Sequence, residues 1–363
     1  VIVPVRGDEP ELLDHLRRLR GLGQVPLVGD ERWPQEQWDA VQAVTARTRP
    51  PAEAAWATLT SGSSGAPRIV LRTAASWAES FRAVERLLEA GPEDAVLLPA
   101  PPASSLTLFS LAHALGGGPR PAFGPTDPAA TCLHGTPQAL QAVLDAGPPP
   151  RLRTALIGGS HLDPALRERA EAAGIRVHGY YGAAELSFVA VDDGDGLRPF
   201  PGVEVDVRDG DELWVRSPFA ALGYAGAPGP LRRDGEWATV GDRAELVDGR
   251  LRLLGRRDEA ILSASATIVP EEVEEALRSV PGIRDAVVFG MPQARVGALV
   301  AAYLELDGPP PADLRAACAR MLAPAHRPRL WYAGELPRTP SGKPARAEAA
   351  RRARSGEVPR LDV

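Results

Sequence analysis

The run Thr60-Ser61-Gly62-Ser63-Ser64-Gly65-Ala66-Pro67-Arg68 most restricts what this chain can become. It lies between two apolar stretches, Ala55-Trp56-Ala57-Thr58-Leu59 and Ile69-Val70-Leu71, so the pattern predicts a strand, a polar loop and a second strand. Glycine tolerates positive φ and lets the backbone come close to a ligand. Successive N–H groups in such a loop can converge on an anion, and the hydroxyls of Thr60, Ser61, Ser63 and Ser64 add further donors. Taken alone, so short a run is more commonly a flexible turn. It has neither the Gly-Lys-Ser/Thr ending of a Walker loop nor the Gly-x-Ser-x-Gly of a hydrolase elbow.

The surrounding chain alternates strand and helix patterns. The first 54 residues read as strand, helix, strand, helix, with strands at 1–5 and 25–28 and helices at 11–19 and 35–46. After the loop, Trp77, Phe81, Val84, Leu87 and Leu88 recur at helical spacing within 75–90. A strand is predicted at 95–99, helices at 106–115, 137–146 and 164–173, and strands at 154–157 and 175–177. Such alternation predicts βαβ units and a parallel sheet, whose ligands gather at the carboxyl ends of the strands. Two segments fall at such ends: Gly158-Gly159-Ser160, and a loop Gly179-Tyr180-Tyr181-Gly182-Ala183-Ala184-Glu185. From Gly202 the texture changes to short β segments, two of them joined by Asp248-Gly249, a strong type I′ hairpin signal. A final stretch of about a hundred residues, with a helix starting at Pro270, strands near 286–289 and 298–306, a helix to about 322 and a strand at 330–332, has its own apolar faces and reads as a separate small domain.

Composition narrows the partners. With 363 residues, 44% of them hydrophobic and 24% charged, the chain can build one large core or two domains. A net charge of −6 spread along the chain argues against a nucleic-acid surface, so a small-molecule partner is expected. No apolar run approaches the roughly eighteen residues that span a bilayer, and no signal pattern opens the chain, which predicts a cytoplasmic protein. Cys132 and Cys318 are far apart and form no metal or redox motif, so they read as reduced structural thiols. Lys343 is the single lysine among 41 Lys and Arg residues. A compact ammonium placed once in an arginine-rich chain points to a task there that a planar guanidinium fork does not perform.

The loop at 60–68 resembles the first signature of the adenylate-forming superfamily (acyl-CoA synthetases, the adenylation domains of peptide synthetases, and luciferases), roughly Thr-Ser-Gly-Ser/Thr-Thr/Ser-Gly-x-Pro-Lys. Further signatures follow in family order. Tyr181-Gly182-Ala183-Ala184-Glu185 resembles Tyr-Gly-x-Thr-Glu, Val240-Gly241-Asp242 resembles Thr-Gly-Asp, and Gly255-Arg256-Arg257-Asp258 resembles the family hinge. Leu336-Pro337-Arg338-Thr339-Pro340-Ser341-Gly342-Lys343 is the closing signature in nearly full form.

The resemblance implies an α/β fold: a large multi-layered N-terminal AMP-binding domain with mixed sheets over residues 1–257, abbreviated at its start, and a small mobile α+β C-terminal domain over 258–363. It implies that ATP is held by Thr60, Ser61, Gly62, Ser63, Ser64, Gly65 and Arg68, by Gly158, Gly159 and Ser160, and by Tyr181, Gly182, Ala184, Asp242 and Arg256. In this pattern Tyr181 stacks on adenine, Asp242 accepts the ribose hydroxyls, Arg256 reaches the ribose, Glu185 holds Mg²⁺, Lys343 is catalytic and Asp258 is the pivot. Ala264 and Ser265 stand where CoA ligases have a Gly-Gly pair lining the pantetheine tunnel. Small o-succinylbenzoate-CoA ligases are the most similar in size and texture.

The expected activity is ATP-dependent activation of a carboxylic acid to an acyl-adenylate, followed by thioester formation with CoA, in a monomer or homodimer. Three positions depart from the pattern: Arg68 for lysine, Ala184 for threonine, and Ala264-Ser265 for Gly-Gly. They leave two other readings open. One is transfer of the acyl group to a carrier-protein thiol or an amine. The other is a catalytically silent nucleotide-binding protein, against which Lys343 speaks.

Overall fold

The computed structural model describes residues 1–362 apart from 34, 61–67, 125, 160, 161, 163, 210, 227, 257–260, 264, 265, 269 and 338–345. The described residues form two compact units, one within 1–254 and the other within 255–363.

The first unit is built on three sheets. In the five-stranded sheet Ile2–Arg6, Val25–Gly29 and Ala54–Thr60 run parallel, and Arg68–Thr73 and Gly223–Gly226 continue it antiparallel. The apolar stretches flanking the Gly/Ser run are therefore neighbouring strands, with Thr60 opposite Arg68 and Arg68 opposite Gly226. The seven-stranded sheet has a parallel body made of Arg120–Phe123, Ala95–Leu98, Cys132–Gly135, Thr154–Ile157 and Arg176–Ala183. Two antiparallel strands, Ser187–Asp192 and Arg198–Pro199, extend it. Apart from Gly223–Gly226, the short β segments of this unit after Gly202 form a third, antiparallel sheet, including Glu212–Arg216 and Asp242–Val247. Asp248 and Gly249 both have positive φ, 51° and 74°, as the I′ turn requires.

Helices form where the apolar spacing predicts them. Ala75–Leu88 buries Trp77, Val84 and Leu88, spaced for one helical face. Ser105–Leu115 starts where the Ser104 hydroxyl accepts a hydrogen bond from the Thr107 N–H at 3.2 Å, satisfying a donor that the first turn leaves unpaired. These two helices meet the sheets in an aromatic core, in which the Phe109 ring lies 5.9 Å from Trp77, 5.6 Å from Phe81 and 5.0 Å from Phe188.

One expectation needs correction. Residues 179–185 are not a loop after a short strand: Arg176–Ala183 is a continuous strand paired antiparallel with Ser187–Asp192, and only the turn at 184–186 leaves it. Glycine makes the hairpin possible. A Cβ on Gly182 would lie 2.1 Å from the Ser187 carbonyl oxygen, so no other residue allows this approach. The tyrosines between the two glycines favour extended backbone, and these local preferences together override the glycine-rich appearance of the segment.

The second unit is an α+β structure. Ile283–Gln293 and Gly297–Leu306 form a long hairpin, joined by the parallel strand Leu330–Ala333 and by the short hairpin Ile261–Ser263 and Ala266–Ile268. Helices Pro270–Arg278 and Leu314–Met321 pack with one apolar cluster that includes Val273, Leu277, Leu314 and Trp331. Helix Arg346–Ser355 covers a second cluster with Ala349, Ala350 and Ala353.

Candidate functional site

The turn at 184–186 presents Glu185 as a buried carboxylate, 4% exposed. Two hydrogen bonds fix it, one of them through a residue that is itself held. The Tyr224 hydroxyl donates to Glu185 Oε1 at 2.9 Å, and that hydroxyl in turn accepts the Leu231 N–H at 3.0 Å. The Ala221 N–H donates to the Glu185 carbonyl at 2.7 Å. Beneath the turn lies Arg72, wholly buried on strand Arg68–Thr73, whose two Nη groups donate to the carbonyls of Ala184 and Phe219. Its guanidinium carbon sits 5.3 Å from the centre of the Trp77 ring. Burial pushes the Arg72 guanidinium down to about 9, against the opposing pull of the Glu185 carboxylate. Burial, with the Glu185 charge added, raises the Tyr224 phenol above its ordinary value, so it stays a donor.

Tyr181 and Asp242, 61 residues apart, are joined by a hydrogen bond from the Tyr181 hydroxyl to Asp242 Oδ2. Strand alternation sends Tyr180 elsewhere: its hydroxyl meets His134 Nε2 at 3.1 Å, and His134 Nδ1 meets the Ser110 hydroxyl at 2.8 Å. The Tyr180 ring lies flat against Gly158, where a Cβ would come within 2.2 Å of it. Burial, reinforced by nearby His113, holds His134 down at about 3, so it is neutral at working pH. Gly159, next in the segment after strand Thr154–Ile157, has φ of 85°.

The arrangement brings together Glu185, Gly182 and Ala184 on one hairpin, and Tyr181 with Asp242. Arg68 lies across the strand pair from Thr60 and acts electrostatically on Tyr224, which binds Glu185. Ser61, Gly62, Ser63, Ser64, Gly65, Ser160, Asp258, Ala264, Ser265 and Lys343 lie outside the described residues, as do the side chains of Thr60 and Arg256. The strands that bracket 61–67 are the strands the sequence predicts. Residues on either side of 338–345 pack within the second unit: Tyr303 donates to the Glu335 carbonyl at 2.8 Å, Leu336 is buried, and Arg346 pairs with buried Glu274 at 3.0 Å.

Arg72 and Tyr224 were not legible as site residues. The only cue for Arg72 is a charge directly after the apolar stretch Ile69-Val70-Leu71, and for Tyr224 an aromatic beside Gly223.

The residues present suit Mg²⁺ of the nucleotide-bound kind. Among the described residues no three carboxylate, histidine or cysteine side chains converge as a metal cage. Mg²⁺ in nucleotide sites is held by one or two hard carboxylate oxygens plus phosphates and water, and the Glu185 carboxylate, oriented on one oxygen by Tyr224, is a group of that kind.

Mixed sheets around a carboxylate hairpin, with a separate α+β unit, constitute the adenylate-forming fold. The structure matches a double mutant of o-succinylbenzoate CoA synthetase from Bacillus subtilis, bound with a product analogue, at a TM-score of 0.80 and 20% identity, over 99% of this chain and 89% of the other. The chain belongs to the AMP-binding enzyme family: that family's profile matches residues 3–225, and the profile of its C-terminal domain matches residues 272–343. A probable 2-succinylbenzoate–CoA ligase of Mycobacterium tuberculosis is 38% identical over 237 residues, 62% of this chain and 57% of the relative. A fatty acid–[acyl-carrier-protein] ligase of Mycobacterium marinum is 32% identical over 249 residues, 55% of this chain and 46% of the relative. The chain thus spans about half the length of these two relatives.

Proposed function

We propose that the chain activates a carboxylic acid with ATP and passes the acyl group to the thiol of CoA. A carboxylate oxygen attacks the α-phosphorus of ATP, the bond to the bridging oxygen breaks, and pyrophosphate leaves with its electron pair. The product is an acyl-adenylate. In the second step the CoA thiol loses its proton to solvent, sulfur attacks the acyl carbon, and AMP departs. The observation that carries this reading is the hydrogen bond between Tyr181 and Asp242, which joins the aromatic and the carboxylate that the family resemblance assigns to adenine and ribose.

In this reading the Tyr181 ring packs on the base and Asp242 accepts the ribose hydroxyls. The backbone N–H groups of 61–65 and the Arg68 guanidinium hold the phosphates, a geometry that loop glycines permit. Glu185 is the protein ligand of Mg²⁺, which supplies positive charge to the phosphates when bound. Lys343 neutralises charge developing at the α-phosphate. Residues 258–363 act as the mobile domain that serves the two half-reactions in turn, with Asp258 as pivot.

The acid of first choice is 2-succinylbenzoate, after the M. tuberculosis relative. Incubation with ATP, Mg²⁺, CoA and a panel of acids, followed by mass spectrometry, should yield AMP and one acyl-CoA in equal amounts. The M. marinum relative and the Ala264-Ser265 pair favour a second reading, delivery to a carrier protein. AMP and thioester formation only with a phosphopantetheinylated carrier protein would select it.

A further inference from the structure

Arg72 has no assigned part in the scheme above, and its placement is unusual. It is a cation with no solvent exposure, on a strand whose neighbouring residues Ile69, Val70 and Leu71 are apolar core. Burying a guanidinium is unfavourable unless its donors are used, and an apolar side chain would fill the same space more cheaply. Both of its Nη groups are used in a specific way, while the buried Nε has no hydrogen-bond partner among the described residues. One Nη takes the carbonyl of Ala184, the residue before Glu185, and the other takes the carbonyl of Phe219. Two residues after Phe219, the Ala221 N–H binds the Glu185 carbonyl. Three residues further on, Tyr224 places its hydroxyl on the Glu185 carboxylate. One planar fork therefore holds the carboxylate's own turn and the segment leading to its hydrogen-bond donor, and Trp77 supports the fork from its face.

We propose that Arg72 and Tyr224 are positioning residues that set the Glu185 carboxylate for Mg²⁺, Arg72 by fixing the two backbone segments and Tyr224 by orienting the carboxylate itself. The proposal rests on the reading of Glu185 as the Mg²⁺ ligand. Positioning of this kind confines the ligand oxygen to one direction before the metal arrives, and supporting contacts of metal ligands commonly change affinity ten- to a hundredfold. Lysine at position 72 would keep the charge but, with one nitrogen, could not hold both carbonyls.

The test is calorimetric binding of ATP, without any carboxylic acid, at a series of Mg²⁺ concentrations. It uses the full chain and the variants Arg72→Lys, Tyr224→Phe, Glu185→Gln and Arg72→Lys/Glu185→Gln. For Arg72→Lys and Tyr224→Phe, the Mg²⁺ concentration that half-restores ATP binding should rise about tenfold, while ATP affinity without Mg²⁺ changes less than twofold. Because Arg72 acts through Glu185, the double variant should need no more Mg²⁺ than Glu185→Gln alone. A merely structural Arg72 would weaken binding equally with and without the metal, and that result overturns the proposal. So does an unchanged Mg²⁺ requirement in either folded variant, or additive effects in the double variant. Should Arg72→Lys fail to fold, Tyr224→Phe, which removes one hydroxyl, decides alone. Wild-type protein that binds ATP without regard to Mg²⁺, or not at all, overturns the reading of Glu185 and the proposal with it. Mg²⁺-dependent wild type beside unaltered variants overturns the proposal only.

Discussion

At the scale of single residues, the Tyr181–Asp242 contact separates two roles that the motifs alone merge. In the proposed reading the Asp242 carboxylate accepts from a diol, whereas Tyr181 offers a ring to the base and donates its hydroxyl to Asp242. Asp242→Ala should raise the KM for ATP by about ten- to a hundredfold, since a charge-assisted hydrogen bond contributes roughly 1.5 to 3 kcal/mol. Tyr181→Phe keeps both the ring and the Asp242 carboxylate and removes only a hydrogen bond made within the protein, so the KM should rise by less than it does for Asp242→Ala. Steady-state kinetics over a range of ATP concentrations separate the two; equal effects would remove the distinction. The family residues of this site were legible because they are contiguous motifs. The residues that hold them were not, because Arg72 meets its carbonyl partners 112 and 147 positions away, and no local pattern encodes such a pairing.

At the scale of elements, periodicity located most of the helices and the parallel strands, and it failed where side chains were too small or too mixed to show a period. The strand Cys132–Gly135 is four residues long and includes His134 and Gly135, so it has no strand signature, yet all four are buried inside the seven-stranded sheet, between Thr154–Ile157 and Ala95–Leu98. Helix Arg346–Ser355 shows no apolar period because, among its described side chains, those it buries are the small Ala349, Ala350 and Ala353, beneath an arginine-rich surface. The hairpin that carries Glu185 has the sequence pattern of a loop because its two glycines look like punctuation. They are contact glycines, and that has a consequence for stability. Gly182→Ala would drive a Cβ into the Ser187 carbonyl oxygen, so it should lower stability by about 1 to 3 kcal/mol, the cost of overpacking a tight contact. Urea denaturation measures this, and an unchanged midpoint would mean that the hairpin opens without penalty.

At the scale of the whole molecule, the first unit encloses a histidine that cannot become charged in place. The unfolded chain protonates His134 near 6.5, whereas the folded protein resists until about 3, because burial disfavours the cation and His113 adds to the effect. Between these values the unfolded state binds the extra proton, so stability falls as pH drops from about 6.5 towards 3, by on the order of 5 kcal/mol in total. His134→Gln should flatten this part of the stability–pH curve, read as urea midpoints between pH 4 and 7; parallel curves would contradict the assignment. Among the described residues no helix is long and apolar enough to cross a membrane. The measurement that bears most directly on the account is carboxylate-dependent exchange of labelled pyrophosphate into ATP, by the wild type and by Lys343→Ala. Adenylation by this chain predicts exchange that requires a particular acid, and a loss of about a hundredfold or more without the Lys343 ammonium. Absence of exchange with every acid, or exchange that Lys343→Ala leaves intact, would contradict it.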